Sequence, residues 1–263
     1  SLHLGDRHSK PKSNRKPDMN SVSHQRRARR GLTLVELLVV LVVITAVAGI
    51  IVPLLPDVNQ RSHGATGAGN MREIIKAVEL HKATTGTYSD EWDSLIDSNG
   101  VTAAATALTA EPVTAGDGPA IAAALADAGI TTAYQHESFT DATVNQTFGG
   151  LTDPLVNELA SNVAVLDTDA EDELGLEPSG GDILAYVAFG LGSQCTMIGT
   201  SMADAPVHFL DGGESPIEEY ARWAVVFAIP VEGPVQLATV AGIHDGELHG
   251  LGEHLAEYYE AIE

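Results

Sequence analysis

The 263 residues carry a formal charge of −22, with 14 Lys/Arg against 36 Asp/Glu, and 44% of them are hydrophobic, enough for a sizeable core besides any anchor. The charge is unevenly spread: the first 31 residues hold 9 Lys/Arg and 2 Asp/Glu, and the remaining 232 hold 5 and 34. So acidic a body repels phosphate backbones, so no nucleic-acid partner is expected, and the lone Cys195 excludes an intramolecular disulfide.

In chain order, residues 1–31 form a basic leader with scattered Lys, Arg, Ser and Pro and almost no apolar content, a composition that stays disordered. It ends at Arg29-Arg30-Gly31, and an almost wholly apolar helix starts at Leu32-Thr33-Leu34-Val35-Glu36. Leu32 to Leu55 is 24 residues, which at about 1.5 Å each spans ~36 Å and exceeds a ~30 Å hydrocarbon layer. Residues 32–56 are therefore expected to be a transmembrane helix, with Glu36 as its one charge. An acid costs ~2.5–3.5 kcal/mol at the bilayer centre and less near the interface, so Glu36 asks for a partner. The basic leader keeps the start of the chain cytoplasmic and sends the acidic body across.

Residues 57–96 continue as an amphipathic helix and a turn. Met71, Ile74, Ile75 and Val78 recur at i, i+3, i+4 and i+7, marking one buried face. Gly86 is the expected stop. Gly49, Pro53 and Pro56 weaken the helix locally, and Gly64, Gly67 and Gly69 are expected to form a second soft region. Trp92 and Tyr88 should pack the top of the helix onto a sheet.

These two blocks carry a resemblance. Gly31, Thr33, Leu34 and Glu36 together resemble the class III signal sequence of type IV pilins and of the pseudopilins of type II secretion systems. The run Ile74–Lys82, the Thr85-Gly86-Thr87-Tyr88 turn, Trp92 and Leu95 are similar to the pseudopilin helix end. The resemblance implies cleavage by a prepilin peptidase after Gly31 and N-methylation of Leu32 by the same peptidase/methyltransferase. It also implies that Glu36, fifth from Leu32, pairs with the new N-terminal ammonium of a neighbouring subunit. Pro53, the twenty-second residue, falls where the family has a proline. Leu32 departs from the usual phenylalanine. The implied partners are other pilin-like subunits and an inner-membrane assembly platform. The chain would be a single-pass inner-membrane protein with its body outside the cytoplasm, and after assembly part of a filament.

Residues 97–182 form a variable region, rich in Ala, Thr and Gly and then acidic. Within it Pro119–Ala128 reads as a short helix ended by Gly129, and Tyr134–Leu151 reads as loop. Residues 183–263 hold the strands Ile183–Phe189, Trp223–Ile229 and Val235–Ala241, the last two joined by Pro230–Pro234 as a hairpin. Leu248, Leu251, Leu255 and Tyr258 then suggest a closing helix. The layout is α+β, a long N-terminal helix packed on a C-terminal antiparallel sheet, which is also the pilin fold.

No cofactor or catalytic constellation is expected. Asp167, Asp169, Glu171, Asp172 and Glu173 can offer oxygens to calcium but lack the glycine of an EF-hand loop, and a solvated acidic turn is the plainer reading. Asp211-Gly212-Gly213-Glu214 is a weaker rival. His244, Asp245, His249, Glu253 and His254 contain no H-E-x-x-H and read as surface residues of a polar tail. Gly190–Cys195 lacks the lysine of a phosphate loop, so it reads as a turn with Cys195 a small buried residue. The alternative function is a secreted or anchored binding protein or enzyme, whose ordinary signal would be cut after Ala46-Val47-Ala48.

Overall fold

The computed structural model describes residues 33–51, 55–97, 107–136, 155–158, 162–208, 220, 222–244 and 246–260. The chain divides into two units, residues 1–51 and 52–263.

In the first unit the described element is helix α1, Leu34–Ile51. It is apolar on all sides except for Glu36 and Thr45, and its large side chains are exposed all round: Leu34, Leu38, Val43 and Val47 alike. A helix hydrophobic on every face belongs in lipid or among other helices. Its 18 residues rise only about 27 Å, and among the described residues no helix is long and apolar enough to cross a membrane. The expected span reaches beyond α1 at both ends, into residues outside the description.

The second unit opens with helix α2, Leu55–Thr85. Pro56 sits in its first turn, where a missing N–H costs no helical bond. Gly64, Gly67 and Gly69, the expected soft region, are all helical. Gly67 lets another element close in, since a Cβ there would stand 3.1 Å from His254 Nδ1. His254 lies on the closing helix α5, Leu251–Glu260, which packs against α2. Met71, Ile74 and Val78 form the buried face as the periodicity requires. Gly86 ends the helix in the left-handed conformation (φ 90°), its N–H bonded to Lys82 O at 2.8 Å.

Among the described residues the sheet has nine strands: β1 (Trp92–Asp97), β2 (Leu108–Pro112), β3 (Thr132–His136), β4 (Leu155–Glu158), β5 (Asn162–Leu166), β6 (Ile183–Gly190), β7 (Ala224–Pro230), β8 (Gln236–His244) and β9 (Glu247–His249). The main order is β4-β3-β1-β6-β7-β8-β9, and β5 pairs with both β2 and β6. Helix α3 (Gly118–Asp127) lies where the short helix is expected, with Gly129 (φ 92°) after it, and α4 spans Thr168–Glu173. The three late strands match the expectation, and β7 and β8 pair antiparallel across the Pro230–Pro234 link.

The late strands β6 to β9 pair antiparallel as expected, and β1 and β3, which that expectation did not include, run parallel. One expectation needs correction: Tyr134 is not loop, since it sits in β3, paired with Val156 of β4. Residues 137–151 of the expected loop lie outside the described residues.

The continuous apolar runs of β6 and β7 follow from burial on both faces. Val187, Phe189, Val225, Phe227 and Ile229 face a core shared with α2 and α3. Tyr186, Ala188, Ala224, Val226 and Ala228 face a second core with Leu108, Leu166, Ala170 and Leu248. Tyr88, Trp92 and Phe189 set their rings edge-on to Phe227, with centroids 4.9, 5.7 and 6.2 Å away. Tyr88 and Trp92 thus join the end of α2 to the sheet, as expected.

Candidate processing and assembly segment

The expected processing residues Gly31 and Leu32, and Pro53, lie outside the described residues. Glu36 lies within them, in the first turn of α1. Its Oε2 accepts from Thr33 N at 2.8 Å, and Thr33 Oγ1 accepts from Glu36 N at 3.2 Å. This reciprocal pair is a capping box, and it satisfies two of the amides a helix start leaves open. Leu37 N adds a third bond, to Thr33 O at 3.1 Å. The amide that Glu36 holds belongs to the peptide bond joining Leu32 to Thr33. The carboxylate is therefore held one residue from the bond that prepilin processing would cut. Thr33 as its cap partner was missed in the sequence, although the spacing Thr33-x-x-Glu36 signals it. Ala46, Val47 and Ala48 lie inside α1.

Among the described residues the other candidates do not come together in one site. Asp167 caps α4, its carboxylate accepting from Ala170 N at 2.9 Å. Glu171 is buried rather than solvated, and its Oε2 accepts from Ser179 N at 2.9 Å. Asp169 stays exposed. Among the described residues no group of three or more His, Cys, Asp or Glu side chains is arranged to hold a metal ion. Asp211–Glu214 and Asp245 lie outside the description.

The tail histidines differ from the surface reading. His249 Nδ1 meets Glu253 Oε1 at 2.8 Å. His254 is buried and stacks edge-on with Trp223 and His208, at 5.7 and 5.5 Å. Cys195 is buried as expected, and burial, ahead of every other influence, raises its thiol to about 12. That leaves it unreactive near neutrality.

A second feature the sequence did not disclose is a group of buried polar side chains: Asp93, His208, Tyr220, Arg222 and His254. Tyr220 OH donates to Asp93 Oδ2 at 2.7 Å. Burial first, then the Asp93 charge, drive the Tyr220 hydroxyl well above its usual range. A cleft of 490 Å³ lies where the end of α2 meets α3 and the β7–β8 link. Lys82, whose Nζ donates to Tyr88 OH at 2.7 Å, and Asp127 are among the residues that line it.

Residues 26–52 match the family model for the prokaryotic N-terminal methylation motif. The chain carries that motif. It is the hallmark of the class III signal peptide of type IV pilin-like proteins, and it covers Gly31, Leu32, the Thr33/Glu36 capping box and all of α1. The motif implies processing by a prepilin peptidase, assembly with other pilin-like subunits, and a membrane-anchored or pilus-associated location. The motif, with an α+β body behind it, supports a type IV pilin-like or pseudopilin-type protein. No curated protein and no solved structure matches the chain.

Proposed function

We propose that this protein is a structural subunit of a type II secretion or type IV pilus-like filament, with a mechanical rather than enzymatic task. In this reading residues 1–31 are removed after Gly31, and Leu32 becomes the methylated N-terminus. The helix from Leu32 to Leu55 anchors the precursor in the inner membrane and later packs with its neighbours to form the filament core. The acidic body lies on the extracytoplasmic side.

The observation that carries the reading is the methylation motif laid over a helix whose apolar side chains are exposed on every face. Such a helix needs lipid before assembly and other helices after it. Glu36 supports the same account. A carboxylate in a dry helical core needs a cation, because a charge left unpaired there is strongly destabilising. The ammonium created at Leu32 is the cation that maturation supplies, and in a growing filament the neighbouring subunit's ammonium fixes the register.

Two substitutions test it in cells. Gly31→Ala should leave full-length precursor in the inner membrane; normal maturation of that variant would remove prepilin processing from the account. Glu36→Val should be cut at the same bond yet enter filaments poorly, and wild-type incorporation would take Glu36 out of assembly.

A further inference from the structure

After residue 31 the chain holds 5 Lys/Arg among 34 Asp/Glu, so a cation there has carboxylates in plenty to meet. Among the described residues Lys82 meets none. It is half-buried in the last turn of α2, and its contacts are all neutral. Nζ donates to Tyr88 OH at 2.7 Å and more loosely to Val235 O at 3.4 Å, and it stands 4.0 Å from the centre of the Tyr88 ring. An ammonium has three hydrogens, so one remains. Tyr88 is only 3% exposed, and its hydroxyl accepts a second bond, from Leu237 N at 2.9 Å. With both lone pairs taken, the hydroxyl's own hydrogen has no acceptor among the described residues. Two donors, one of them charged, are left over side by side, and both residues line the 490 Å³ cleft at the end of α2.

The rest of the cleft shows what would bring the acceptor. Its walls are apolar: Ala120 and Ala124, four apart on α3, with Leu184, Ile229, Val231 and Val235. Val231 is 59% exposed, although it is large and apolar. The volume falls within the roughly 300–1,000 Å³ usual for small-molecule sites. Asp127 also lines the cleft, exposed and in no ion pair with Lys82, and it disfavours a ligand carrying a second negative charge. The donors are in place before any ligand arrives, because the Tyr88 ring is braced edge-on against Phe227 at 4.9 Å and prolines 230 and 234 stiffen the link opposite.

We propose that this cleft binds a monocarboxylate with an apolar body. The carboxylate takes the spare hydrogens of Lys82 Nζ and Tyr88 OH, and the apolar part lies against α3 and the β7–β8 link. The site does not depend on the filament reading. Two sources share this chemistry: a small organic acid, and the free C-terminus of a peptide ending in an apolar residue.

The test follows alanine and valine methyl signals by NMR in the full chain, held in a non-ionic detergent, as isocaproate or N-acetylleucine is added. Saturating shifts at Ala120, Ala124 and Val231 are expected, half complete near about 1 mM. N-acetylleucinamide, which lacks the charge, should bind about tenfold more weakly than N-acetylleucine. Lys82→Gln should weaken the acid to the same extent and leave the amide unchanged. Ala120→Trp, which fills the cleft from an exposed position, should abolish the shifts of both. The acid–amide comparison leaves the protein untouched, so it decides the role of the charge even where Lys82→Gln does not fold. Tighter binding of isocaproate makes a free acid the source, and tighter binding of N-acetylleucine makes it a peptide terminus. Absence of saturable shifts with both acids up to about 20 mM, or an amide that binds as tightly as its acid, overturns the proposal.

Discussion

Helices α1 and α2 stand side by side in the sequence and solve opposite problems. Along α1 every position but Glu36 and Thr45 is apolar or glycine, so no face is distinguished and the single chain leaves its large side chains open. Along α2 Met71, Ile74 and Val78 fall on one side and meet the sheet, while Arg72 and Lys76 are exposed. The second helix is stabilised by its own fold. The first, apolar on every face, has the pattern that suits lipid or a surround of other helices rather than one face of a core.

The largest expected effect separates the two helices' roles. Phe227→Ala removes the ring on which Tyr88, Trp92 and Phe189 converge and should destabilise the body by about 3–5 kcal/mol. Leu38→Ala on α1, also a truncated apolar side chain, should move the same denaturation midpoint by no more than about 0.5 kcal/mol. Equal losses, measured by chemical denaturation in detergent, would erase the distinction.

A smaller effect probes how α2 is tied at its end. The Asp90 carboxylate accepts from Thr131 N and Thr132 N at 2.9 and 2.8 Å and from Thr131 Oγ1 at 2.6 Å. Burial pulls its carboxyl upward, but these bonds together hold it below the ordinary range. Asp90→Ala should cost about 1–2 kcal/mol, less than for a fully buried carboxylate because this one is partly solvated. The wild type should lose that margin only in acid, as the pH falls from the ordinary carboxylate value of 3.8 through the lower folded one. A variant as stable as the wild type at neutral pH would show the tie to be idle.

The smallest effect lies at His81, on the buried side of α2. Burial lowers its ring below the ordinary 6.5, so the neutral form is the one that fits. Its contribution is present above 6.5 and lost as the pH falls through the folded value. Denaturation midpoints of wild type and His81→Asn should therefore converge between about pH 7.5 and about pH 5. A constant difference would mean the ring does not titrate in that window.

Strong local patterns made much of this legible. The period of α2, the stop at Gly86 and the uninterrupted apolar runs of β6 and β7 all act within a few residues of themselves. The shorter strands did not declare themselves. β1 is broken by a register shift and holds Leu95 at φ 57°, while β2 to β5 are four or five residues each and pair with distant segments. The tail was misread for the same reason. Whether His254 faces solvent depends on Gly67, Trp223 and His208, none of them near it in sequence. At the processing segment the motif was readable because its chemistry depends on spacing: a glycine, then a carboxylate five positions on.

The central claim is that α1 is the start of the mature protein, not a discarded signal. Mass spectrometry of the N-terminal peptide from membrane-extracted protein tests it most directly. N-methylated Leu32 is the predicted result. A mature chain beginning at Gly49 would contradict it, because Glu36 and most of α1 would then be absent from the protein that acts.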